Sequence, residues 1–192
     1  MSFQIEIEKS VDILKKGKNI LYPTDTIWGL GCDAFNIQAI QKICEIKNRN
    51  ICKSMIVLVE SIDRLHQLVG KISDFTRRII INNLVKKDKP ITIVYKNTKK
   101  IASNFFRQDN TLAIRLTYDP FCIGLIRKLD RPIISTSANF SGFMTPKSFS
   151  EINPAILSRT DYIVNFRRKE KPNYSASSII KIVSNKVKIL RI

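Results

Sequence analysis

The chain has 192 residues, 44% of them hydrophobic, and a formal net charge of +17 with a pI near 10.0. That length suits one domain, residues 1–192, with a real core; the charge points to an anionic partner, nucleic acid first, unless it is only a lysine-rich soluble surface. Cysteines 32, 44, 52 and 122 make no Cys-x-x-Cys pair, the single His66 leaves no zinc set, and no apolar run approaches the ~20 residues of a membrane span, so a cytoplasmic protein with reduced thiols and no membrane contact is expected.

Residues 1–8 lack the basic start and apolar block of a signal peptide. Val11, Ile13 and Leu14 form a helical stripe that Lys15, Lys16 and Gly17 stop. Residues 19–22 read as a buried strand ended by Pro23. Ile37, Ile40, Ile43, Cys44 and Ile46 recur at helical spacing, which predicts a helix from Asn36 to Lys47 with Cys44 as core filler. Residues 55–59 form a buried strand; 62–69 and 73–84 are helical, with His66 in a structural role on the first. Residues 91–95 and 111–116 are strands, 120–129 a helix with proline in its first turn, and 132–136 a strand. Two or three more strands lie near 162–164, 178–183 and 187–191. Strands and helices mingle without strict βαβ repeats, so a mixed, twisted parallel and antiparallel sheet flanked by helices is expected. Segments 96–110 and 166–173 are candidate basic rims.

Three clusters carry chemistry. Thr24, Asp25 and Thr26 follow Pro23, and Gly29 and Gly31 allow a tight turn or close approach to a ligand. The plainer alternative is a strand-to-loop turn bonding its own backbone. Lys47, Arg49 and Lys53 sit where a helix ends; cations complement a helix C-terminus, yet three exceed that need, and arginine grips phosphate or carboxylate with two bonds. Ser135, Ser137 and Asn139 close a strand, either as ligand donors or as a turn starter, and would meet Thr24–Thr26 if their strands are neighbours. Arg115 stands in an otherwise apolar strand, where an unpaired charge costs several kcal/mol. Only Asp25 and Asp33 are acidic near these clusters, and no Walker A motif or Ser/His/Asp set is present. The pocket is therefore electropositive, and charge stabilisation outranks paired-carboxylate chemistry.

The segment Tyr22-Pro-Thr-Asp-Thr-Ile-Trp-Gly-Leu-Gly31, the pair Lys47 and Arg49, and the pair Ser137 and Asn139 together resemble the signatures of the YrdC/Sua5 family, the L-threonylcarbamoyladenylate synthases. Residues 111–115, 177–180 and 189–191 fit as well, and the resemblance implies the short single-domain form. Asn50 and Ser54 replace prolines common in the family, and Leu58 stands where some relatives carry a histidine.

The resemblance implies a twisted sheet with a large basic concave face. It implies condensation of L-threonine, bicarbonate and ATP, with Mg2+, to threonylcarbamoyl-AMP and pyrophosphate. The product would serve t6A modification of adenosine 37 in tRNA, with pathway partner proteins completing the transfer. Lys47 and Arg49 would be catalytic. Arg49, Lys53, Thr111, Ser137, Asn139, Thr145 and Arg191 would bind ATP. Thr26, Arg115, Ser135 and Ser177 would bind threonine. The competing reading is a non-catalytic module that binds tRNA or double-stranded RNA through the same basic surface.

Overall fold

The structure, a computed structural model, describes residues 3–48, 55–86, 88–96, 111–170 and 176–192. Arg49, Asn50, Cys52, Lys53, Ser54 and the expected rims at 97–110 and 171–173 lie outside the described residues. The helices are α1 (Phe3–Lys15), α2 (Ile37–Ile46), α3 (Ile62–Val69), α4 (Asp74–Lys86), α5 (Pro120–Leu129) and α6 (Pro154–Arg159). The strands are β1 (Ile20–Tyr22), β2 (Gly29–Asp33), β3 (Ile56–Val59), β4 (Ile91–Lys96), β5 (Thr111–Leu116), β6 (Ile133–Ser137), β7 (Tyr162–Ile163), β8 (Ser178–Val183) and β9 (Lys186–Arg191).

Among the described residues these strands form one sheet in the order β7-β1-β2-β6-β3-β5-β4-β8-β9. The β1–β7, β3–β5 and β4–β8 pairs are parallel, the other five antiparallel, so the sheet is mixed as the chain order predicts. Side chains alternate across a strand, and the registers sort them into two faces. One face carries Leu112, Ile114 and Ile93; there Leu65 of α3 and Ile80 and Leu84 of α4 pack over β4 and β5. The opposite face carries Gly29, Ser135, Ile56, Arg115 and Thr92 on neighbouring strands, and that face holds the site.

Local sequence sets the boundaries. Asn36 caps α2 by accepting from the Ala39 amide at 2.9 Å, and buried Ala39, Ile40, Ile43 and Ile46 mark its inner stripe. Asp119 caps α5 by accepting from the Phe121 and Cys122 amides, with Pro120 pre-set for the first turn. Glu6 of α1 is fully buried and accepts from the Tyr162 hydroxyl (2.8 Å) and the Asn165 amide (2.7 Å), which ties α1 to the β7 edge.

Two expectations change. Gly29 and Gly31 belong to a fully buried strand, not a turn. A Cβ at Gly31 would stand 2.5 Å from the Ile134 carbonyl and 2.8 Å from Tyr22 Cε1, so glycine is needed for close strand approach. A strand of five residues with two glycines has no β-branched signature, which is why sequence hides it. Cys44 is disulfide-bonded, while Cys32 and Cys122 are free and buried, so the expectation of uniformly reduced thiols fails at Cys44. Among the described residues no helix is long and apolar enough to cross a membrane.

Candidate active site

The loop joining β1 to β2 carries Thr24, Asp25 and Thr26, and all three side chains are buried. Thr24 is its organiser: its hydroxyl donates to the Ile27 carbonyl (2.7 Å), accepts from the Thr26 amide (3.0 Å) and meets the Thr26 hydroxyl at 3.0 Å. The plain turn reading therefore holds for Thr24. Asp25 and Thr26 instead reach across to β5, where Arg115 contacts Asp25 Oδ1 at 3.1 Å and donates to Thr26 Oγ1 at 3.1 Å. Thr117 donates to the other Asp25 oxygen at 3.2 Å. Arg115 is 4% exposed, and its Nε has no hydrogen-bond partner. A buried guanidinium with one carboxylate partner and a spare donor is poised for a second anion.

β6 does not neighbour β1; β2 lies between them, pairing Gly29 with Ser137 and Gly31 with Ser135. The loop and the end of β6 nevertheless meet at one cleft. Thr26, Gly29, Ile56, Arg115, Ser135, Ser137, Thr145, Ser177 and Arg191 line it, with Thr24, Ile27, Thr136 and Ala176. Among the described residues the lining holds two arginines and no carboxylate. Arg191 reaches in from β9, donating to the Ser177 carbonyl through Nη2 (2.7 Å) and Nε (3.2 Å), and the Ser177 hydroxyl pairs with Thr92 at 2.8 Å. Burial, and then the like charge of Arg115, lower the Arg191 pKa from its ordinary value. Two cations so placed favour a bound anion.

Lys47 and Asn139 stand behind this lining. The Lys47 ammonium, almost wholly buried, donates to the Ser137 and Asn139 carbonyls, each at 2.6 Å. It thus fixes the turn after β6. Asn139 Nδ2 donates to the Phe140 and Phe143 carbonyls, at 3.1 and 2.7 Å, and shapes the same loop. Thr111 shares the face of Ala113 and Arg115 at the head of β5 but does not line the cleft. Asp33 occupies the far end of β2, where Arg131 pairs with it at 2.8 Å, so it plays no part in the cleft. Sequence reading missed Thr92 and Thr117; the available signal was a lone hydroxyl, two residues or one strand away from Arg115 on its own face.

Among the described residues no group of three or more histidine, cysteine or acidic side chains is arranged to hold a metal. A magnesium ion that keeps waters and takes phosphate oxygens from a nucleotide needs no such cage, and the hydroxyls of Thr26, Ser135 and Ser137 fit that kind of partner.

A mixed α/β sheet with a hydroxyl-lined, doubly cationic cleft at its strand ends, which among the described residues holds no nucleophile–base pair, suits small anionic ligands. A family model described as Telomere recombination, Sua5/YciO/YrdC, matches residues 12–192, and the chain belongs to that family. It is 32% identical over 160 residues to the threonylcarbamoyl-AMP synthase of Acinetobacter baumannii, spanning 82% of this chain and 85% of that one. It is 32% identical over 167 residues to the synthase of Pseudoalteromonas translucida, spanning 86% and 88%. Its fold matches that of P. abyssi Sua5 complexed with L-threonine, with a TM-score of 0.81 at 22% identity over all of this chain. The chain spans 54% of that longer protein. It also matches E. coli YciO, with a TM-score of 0.76 at 22% identity over 99% of this chain and 89% of that one.

Proposed function

We propose that the chain is an L-threonylcarbamoyladenylate synthase. The observation that carries this reading is the convergence of Arg115 and Arg191 with the hydroxyls of Thr26, Ser135 and Ser137 in one cleft that has no carboxylate among its described lining residues. The synthase relatives of known name support it.

In this reading Arg115, held by Asp25, receives the threonine carboxylate, and Thr26, Ser135 and Ser177 seat the amino acid. The threonine amine adds to the carbon of bicarbonate, water leaves, and an N-carboxylate remains. That carboxylate oxygen attacks the α-phosphorus of ATP; the bond to the β-phosphate bridging oxygen breaks, and pyrophosphate departs with its electron pair. Ser137, Thr145 and Arg191 hold the nucleotide, with Asn139 and Thr111 shaping its surroundings. Lys47 sets the Ser137 carbonyl in place, and Arg49 and Lys53 supply phosphate charge from the following segment. Magnesium neutralises phosphate charge when bound with the nucleotide. The chain's own contribution is positioning and charge stabilisation, with no covalent intermediate.

The product then passes to t6A modification of tRNA in the cytoplasm, through partner proteins. The net charge of +17 favours direct tRNA contact as a second property. The test is pyrophosphate release from ATP by the purified chain. Release that needs both threonine and bicarbonate is expected. Folded protein that releases none, yet binds duplex RNA with a steep salt dependence, overturns the synthase in favour of an RNA-binding module.

A further inference from the structure

The sheet ends at β9, and all six of its residues are exposed. Ser184 and Asn185, both in the left-handed region (φ 49° and 56°), make the tight turn from β8. Among the described residues the outer edge of β9 pairs with no other strand.

The register sorts its side chains. Val187 and Ile189 oppose Ile182 and Ile180 and continue the helix-covered apolar face beyond the helices, at 46% and 59% exposure. Lys186 and Lys188 oppose Val183 and Lys181 on the other face, the one that carries the cleft. A register shift opposite Ile179 and Ile180 leaves Leu190 as the extra residue, 47% exposed. No residue from 171 to 192 is acidic. Lysines and a bulge protect an edge strand against aggregation, but an edge built only for protection does not also expose aliphatic side chains along its length.

We propose that β9 is a docking edge for a β-strand of a different protein, one that alternates acidic and aliphatic residues. Its backbone would extend the sheet, its aliphatic side chains would cover Val187 and Ile189, and its carboxylates would face Lys186, Lys188 and Lys181. A second copy of the chain fits poorly, because self-pairing would set lysine against lysine. RNA fits poorly, because the exposed apolar groups are aliphatic and offer no ring for bases to stack on.

The probe is a capped seven-residue peptide alternating glutamate with valine or isoleucine, and its lysine counterpart, followed by NMR amide exchange on the full chain. The acidic peptide is expected to slow exchange across residues 186–191 at least tenfold, and the lysine peptide to leave it unchanged. Lys186→Glu with Lys188→Glu should reverse that preference; Lys188→Glu alone, at an exposed position, serves if the double variant does not fold. The proposal is overturned by any of four results: no protection at millimolar peptide, protection elsewhere on the molecule, concentration-dependent self-association that the lysine reversals abolish, or displacement of the peptide by duplex RNA. None of these readouts depends on catalysis, so failure here leaves the synthase reading standing.

Discussion

Arg115 and Asp25 meet at 3.1 Å across the sheet, with side chains 4% and 1% exposed. The pair joins stability to function, because Arg115 also faces the cleft. Removing one member of a buried pair leaves an uncompensated charge and costs about 3–5 kcal/mol, whereas replacing both by apolar residues of similar volume is often neutral. Asp25→Asn is therefore expected to lower the urea midpoint strongly. The double change Asp25→Leu with Arg115→Met should recover most of that loss while threonine-dependent pyrophosphate release stays absent. Recovery of activity in the double variant would show that the guanidinium does not touch substrate.

Lys47 gives a different signature, since its ammonium holds backbone rather than open cleft. Hydrogen bonds to a charged donor contribute roughly 1.5–3 kcal/mol each, so Lys47→Met should cost at least about 2 kcal/mol and loosen the turn after β6. Amide exchange at residues 137–141 reports the loosening, and kcat should fall with it. Lys47→Arg should not restore either property, because a planar fork cannot replace a point charge seated between two carbonyls. A Lys47→Met protein with unchanged exchange in that turn but no activity would move Lys47 from scaffold to direct phosphate contact.

Much of this was legible from residue order. The strands at 91–96 and 111–116, the helices at 37–46 and 120–129, and the polar ends at Thr26 and Ser137 follow from periodicity, β-branching and capping residues. β2 was not, because its glycines answer to the approach of Tyr22 and Ile134, partners that only the fold supplies. The Asp25–Arg115 pair spans 90 positions and rests on strand order, which no local pattern encodes. Lys47 was legible as a cation near the site but not as a support behind it, since its direction depends on where the turn after β6 comes to rest.

Gly31→Ala tests that close approach. The added Cβ would lie 2.5 Å from a backbone oxygen, which cannot swing aside, so β2 and β6 must separate. Overpacking of this kind costs about 1–3 kcal/mol. The expected result is a lower melting temperature together with a raised threonine KM, because Ser135 pairs with Gly31 and moves with it. A melting temperature equal to wild type would mean that the strands are not so closely set.

Alkaline pH should destabilise the fold. Burial pushes the Cys32 and Cys122 thiols and the Tyr22 phenol up, and the Tyr162 phenol up to about 12, by burial and then by its bond to Glu6. In the unfolded chain thiols titrate near about 8.5 and phenols near about 10. Above those values the unfolded state holds fewer protons than the folded state, so stability falls as pH rises from about 8.5 towards 12. Urea midpoints measured at intervals across that range should decline throughout. A thiol reagent at pH 8 should leave Cys32 and Cys122 unmodified until urea unfolds the chain; rapid modification of the native protein would contradict their burial.

Arg191 supplies the last test, because it lies in the cleft without being part of the core. Its bonds to the Ser177 carbonyl are made from a strand whose residues are all exposed, so Arg191→Ala should cost little stability. In the free protein its charge also opposes that of Arg115, and that repulsion vanishes with the side chain. An anion held by Arg191 stabilises the wild type by mass action, by about 2.7 kcal/mol at a hundred times its Kd. Pyrophosphate or ATP should accordingly raise the wild-type melting temperature and raise that of Arg191→Ala much less. Arg191→Lys should fall between them, since one ammonium replaces charge but not the two-pronged grip. Equal ligand-induced shifts in all three proteins would remove Arg191 from the nucleotide site and leave Arg115 as the described cation that meets substrate.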